Sequence, residues 1–160
     1  MNASRVRCLL AATTLMAAAS VCSVAQAVEL RGFRGVPWGA GVQRLGASTL
    51  ASTDGTMSCY RRTRENMMYG DSRVTEVRYC FHNDHFFMVS LQTGAAPAAL
   101  VHELQLTYGR PDVRGAMKTV WDSPGSHTRV EVVAPAAGGA TMLITSANYA
   151  PRAQRESRAD

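Results

Sequence analysis

The chain has 160 residues, with 17 Lys and Arg against 12 Asp and Glu and a formal net charge of +5. That length suits one domain with a real core and is too short for two ordinary ones. The basic excess is too mild for a nucleic-acid footprint, and no stretch is apolar for long enough to form a membrane-spanning helix.

Residues 1–27 read as a secretory signal. Arg5 and Arg7 supply the positive end, residues 8–19 the short apolar core, and Ala25-Gln26-Ala27 the small residues before an expected cut after Ala27. Cys22 is not expected to carry a lipid, because Val21 stands where that signal needs a small residue. Removing this segment takes away Arg5, Arg7, Cys8 and Cys22, so the exported chain would carry 15 − 12 = +3 and two cysteines, Cys59 and Cys80. The expected location is the periplasm or the outside of the cell.

The exported part opens on "VELRGFRGVPWGAG", glycine-rich with Phe33 and Trp38 as its large apolar groups, which reads as a short strand and a turn. A first helix is expected over 40–46, followed by three strands over 57–64, 73–82 and 85–92, the last two joined by a tight turn at Asn83-Asp84. A better helix follows in "APAALVHELQLTYGRP". Pro97 fits its first turn, Leu100, Val101, Leu104 and Tyr108 form an apolar stripe, and Gly109 and Pro111 stop it. Three further strands are expected over 118–122, 128–134 and 140–146, separated by "SPGS" and "PAAGG". The layout is a helix and three antiparallel strands in each of two rounds. It predicts an α+β domain over 28–146, with a sheet of about six strands, two helices on one face, and a flexible tail over 147–160.

Cys59 and Cys80 bracket an expected hairpin. If they face each other, Tyr60 opposes Tyr79, Ser58 opposes Phe81 and Arg62 opposes Val77 on a core-like face. The other face then holds Arg61 with Arg78, Thr63 with Glu76, and Glu65 with Val74, so Glu76 lies beside two opposed arginines. An even cysteine count in an oxidising compartment points to a disulfide. A redox pair would be expected closer in sequence. A metal site would have to draw on dispersed histidines, of which His82 and His85, flanking the turn, are the best candidates. The third strand, "HFFMVSLQ", is apolar on both alternations. A two-residue turn would send Phe86 and Met88 to the core with Tyr79 and Phe81, and leave Phe87, Val89 and Leu91 for another segment to cover.

No nucleophile elbow, zinc-protease helix or phosphate-cradling glycine loop is present, so no catalytic residue and no cofactor is assigned. Arg61, Arg62, Arg64, Arg73 and Arg78 are the densest charge. They read either as a solvated hairpin tip or as a contact for an anion or an acidic partner.

"FRGVPWG", the cysteine-bearing hairpin and the helix ending "LTYGRP" resemble a group of small exported bacterial proteins of unknown function. In outline the layout is also similar to the helix-and-sheet repeat of the secreted β-lactamase inhibitory proteins, and more distantly to envelope lipoproteins of outer-membrane assembly. The resemblance implies no catalytic residue. Together these features point to a non-enzymatic periplasmic or secreted binding or accessory protein with an envelope protein partner. The alternatives are an inhibitor of a secreted enzyme, or a small envelope hydrolase or metal-binding protein.

Overall fold

A computed structural model describes residues 30–136 and 138–151. The expected signal segment with its cut after Ala27, Cys8 and Cys22, and the last part of the expected tail lie outside the described residues.

The chain forms a small hairpin from β1 (Gly32–Phe33) and β2 (Val36–Pro37), then a single 3-10 turn at Val42–Leu45. Next come β3 (Ser48–Asp54), β4 (Met57–Arg62), β5 (Met68–Tyr69), β6 (Ser72–His82) and β7 (His85–Thr93). The α-helix α1 (Pro97–Tyr108) follows, and then β8 (Val113–Arg114), β9 (Lys118–Ser123), β10 (Thr128–Val133) and β11 (Ala140–Ser146). One antiparallel sheet of nine strands dominates, in the order β3-β4-β6-β7-β11-β10-β9-β8, with β5 also pairing with β6.

The expected α+β class with two helices and about six strands is therefore corrected: among the described residues the fold is mostly β, with one α-helix. The segment over 40–46 is too short to sustain an α-helix and has glycine at both ends, and it closes only one 3-10 turn, burying Leu45. The large strand that sequence reading passed over is β3. Its residues, Ser-Thr-Leu-Ala-Ser-Thr-Asp, show no apolar alternation because most of the strand faces solvent at a sheet edge.

One face of the sheet carries the main core. Tyr79, Phe81, Phe86, Val89, Leu91, Met142 and Ile144 all lie in it. α1 covers part of that face with Leu100, Val101 and Leu104, packing on β10 and β11. Pro97 opens the helix, and Gly109 closes it with φ 77° and an N–H that donates to the Gln105 carbonyl at 3.0 Å. Over β6 and β7 the β1-β2 hairpin packs, so the second expected helix has no counterpart on this face among the described residues. Phe33 meets Tyr79 at 6.0 Å between ring centroids, and Trp38 stacks on Phe86 at 4.7 Å.

Two irregularities shape the half of the sheet that carries the disulfide. Asn83 and Asp84, at φ 49° and 64°, form the tight turn, so His82 pairs with His85 and Phe81 with Phe86. Cys80, however, pairs with Met88, so Phe87 is one extra residue on β7. The bulge leaves Phe86 and Phe87 on their expected faces and exchanges the faces expected for Met88, Val89 and Leu91. Phe86, Val89 and Leu91 enter the main core, while Phe87 and Met88 pack with Cys59 and Cys80 on the opposite side. The apolar character of both alternations follows from this change of face. Beyond β11, Ala150 is buried in the same small cluster and its N–H donates to the Ser146 carbonyl.

Candidate binding site beside the disulfide hairpin

Cys59 and Cys80 are directly opposed on β4 and β6 and form a disulfide with S–S 2.04 Å. Around it the ladder follows the expected register, with Met57 opposite His82, Ser58 opposite Phe81, and Tyr60 opposite Tyr79. It ends there. Arg62 does not pair with Val77, nor Thr63 with Glu76, nor Glu65 with Val74. β4 leaves β6 and the chain returns as β5, whose Tyr69 pairs with Ser72. The parted strands enclose a cleft of about 480 Å³ with Arg61, Arg62 and Glu65 on one bank and Glu76, Val77 and Gln92 on the other.

The structure separates the five candidate arginines. Arg61 and Arg78 converge on Glu76: Arg61 Nε donates to Oε1 at 2.6 Å, and Arg78 Nη2 lies 2.7 Å from Oε2. Partial burial alone would raise the Glu76 carboxyl, but the hydrogen bonds from Arg78 and Arg61 outweigh it and hold the group below the ordinary glutamate range. This carboxylate reconciles the two opposed arginines. Arg62 points the other way and lays its guanidinium over the Tyr79 ring at 4.9 Å. Arg64 and Arg73 are exposed.

Sequence reading missed the group that organises the cleft. Released from the ladder, Glu65 turns inward, its side chain only 8% exposed, and forms an ion pair with Arg34. It also accepts hydrogen bonds from the Tyr79 hydroxyl at 2.8 Å and from the Asn66 N–H at 3.0 Å. Arg34 sits in the β1-β2 turn with a left-handed φ of 46°, and its Nη2 donates to the Met68 carbonyl at 2.6 Å, so the opening hairpin is tied to the strand crossing. Burial first, and then the adjacent Glu65 carboxylate, push the Tyr79 hydroxyl far above the ordinary tyrosine value, so it stays protonated. Tyr69 and Tyr108 are likewise raised, chiefly by burial, and share a hydrogen bond. Beside them Gly70, at φ 53°, lies so close to Glu103 that a β-carbon there would meet its carboxylate at 2.5 Å. The one available signal was "FRG" itself, a charged residue in a turn sequence beside a core phenylalanine.

Arg62 is the cation of the cleft with spare capacity. Its Nη1 donates to the Arg34 carbonyl at 3.3 Å, and its buried Nε has no hydrogen-bond partner among the described residues. It also lines a second cleft, of about 460 Å³, with Leu45, Ala47, Thr63 and Arg64. The histidines flanking the turn have separate neighbours. The His82 ring lies edge-on to Phe87, while His85 Nδ1 lies 3.1 Å from the Gly39 carbonyl and its ring faces Tyr149. Among the described residues no three His, Cys, Asp or Glu side chains come together as a metal site. No helix there is long and apolar enough to cross a membrane.

No protein-family model, curated protein or solved structure matches the chain.

Proposed function

We propose that this is a non-enzymatic binding or accessory protein of an oxidising compartment, periplasmic or extracellular, that holds a small anion or an acidic group of an envelope partner at Arg62. The observation that carries the reading is a guanidinium that lines two clefts and makes no ion pair among the described residues. An incoming carboxylate or phosphate oxygen would form a charge-assisted hydrogen bond with this guanidinium.

Binding is favoured over catalysis by what the neighbouring groups already do. Glu65 is engaged by Arg34 and Tyr79, Glu76 by Arg61 and Arg78, and the Tyr79 proton is held tightly. Glu76, held below the glutamate range, and Tyr79, held above the tyrosine range, are not poised to exchange a proton near neutral pH. The disulfide and the signal-like first 27 residues support the compartment.

The test is titration of the isotope-labelled chain from residue 28 with acetate, succinate and inorganic phosphate, followed by amide spectra. Saturable shifts at Arg62, Thr63 and Val77 are expected, with at least tenfold weaker binding in Arg62→Gln, since one lost charge-assisted contact is worth about 1.4 kcal/mol or more. Unperturbed amides with all three anions would overturn the reading.

A further inference from the structure

The two edges of the large sheet are unequally protected. At one end β8 has only two residues, so it offers almost no ladder. At the other, β3 has seven residues and, among the described residues, pairs with β4 alone. Five of the seven are exposed, Leu50 at 59%, and none is Lys, Arg or Pro, the residues that commonly guard an edge. Such an edge presents main-chain donors and acceptors that an extended peptide can complete, with pockets beside it reading the side chains. A register shift between Leu50 and Ser52 divides it, leaving residues 48–50 as a regular stretch next to the second cleft.

Charge sets the direction of any added strand. The start of β3 adjoins Arg62 and Arg64 in that cleft, and its end carries Asp54. Arg64 makes no ion pair or side-chain hydrogen bond among the described residues. A segment antiparallel to β3 brings its carboxyl end to the arginines and its amino end towards Asp54. A parallel segment would bring its carboxyl end to Asp54 instead.

We propose that β3 and the adjoining Arg62–Arg64 cleft form a receptor for the extended C-terminal segment of another protein. The segment adds antiparallel to β3, with its terminal carboxylate at the two guanidiniums and an apolar side chain against Leu50. This rests on the anion-binding reading of Arg62 and names the anion's carrier. Main-chain pairing supplies affinity that is largely independent of sequence, and the carboxylate sets position and polarity.

The test uses the labelled chain from residue 28 and an acetylated hexapeptide of alternating threonine and valine, ending either in a free carboxylate or in an amide. The free acid should shift the amides of residues 48–50 and of Thr63 and Arg64. The amide form should bind about tenfold more weakly, the effect of one lost charge-assisted contact. Leu50→Lys, which places a guard on an exposed position, should weaken the free acid by a similar factor while leaving acetate binding at Arg62 unchanged. Equal binding of the acid and amide forms, shifts confined to another surface, or indifference to Leu50→Lys would each overturn the proposal. So would a dimer of the protein alone that Leu50→Lys dissociates, since the edge would then serve a second copy. If acetate shifts Arg62 and the peptide leaves β3 untouched, the anion site stands and this proposal falls; if neither binds, both fall.

Discussion

The sheet has two halves built on different terms. From β11 through β10 to β9 each neighbouring pair runs for six consecutive residue pairs without a shift, and the inner face is filled by Val130, Val132, Met142, Ile144 and Trp121 beneath α1. From β7 back through β6 and β4 to β3 the ladders shift at Phe87, near Thr75 and at Ala51, and β4 parts from β6 after Tyr60. The regular half combines this apolar burial with ion pairs that join Arg129 to Glu131 and Asp122 and Lys118 to Glu131. The irregular half adds a disulfide and the Arg34–Glu65–Tyr79 group, because its interrupted ladder cannot satisfy the same chain by backbone pairing. The two clefts lined by Arg62 lie in the second half for the same reason.

The largest effect should come from the regular half. Ile144 is fully buried in the middle of β11, and Ile144→Ala should cost about 4 kcal/mol, read by denaturant unfolding. A cost below that of removing the disulfide would erase the distinction between the halves. The double variant Cys59→Ala, Cys80→Ala comes next. It reopens a loop with a sequence separation of 21 and should lose about 3 kcal/mol. Amide exchange should accelerate in β4 and β6 while β10 and β11 keep their protection. Uniform loss across the sheet would mean that the two halves unfold as one.

The smallest effect concerns Glu76, whose two arginine partners remain partly open to solvent. Glu76→Gln should cost less than about 1 kcal/mol at neutral pH. A carboxyl held below its ordinary value stabilises the fold fully above the unfolded value of about 4.3. That contribution declines as pH falls through the lower folded value and disappears when both states are protonated. The difference between the native chain and Glu76→Gln should therefore vanish in acid, and a difference that grew with acidification would reverse the assignment.

Legibility followed the same division. Residues 128–133 and 140–146 alternate between buried and half-buried positions, so their period of two is visible in sequence, as is the apolar stripe of α1. The disulfide register was also readable, since one pairing aligned two cysteines and two tyrosines. β3 was not, because an exposed edge strand needs no apolar side, and its serines, threonines, alanine and aspartate leave a single leucine as the one large apolar group. Glu65 was placed on the wrong face because a continuous ladder was assumed where the strands part.

By itself the sequence determined the local features: a hairpin joined by Cys59 and Cys80, the tight turn at Asn83-Asp84, a helix opened by Pro97 and closed by Gly109, and most of the strand positions. These depend on periodicity, turn conformation and residue pairs that face each other across one short connection. Only the tertiary structure decided that the β1-β2 hairpin covers β6 and β7, that Phe87 shifts a strand between faces, and that Arg34 reaches Glu65 across 31 residues. Such contacts form between segments distant along the chain, and their partners are chosen by space left in the core and by charge that burial requires to be paired.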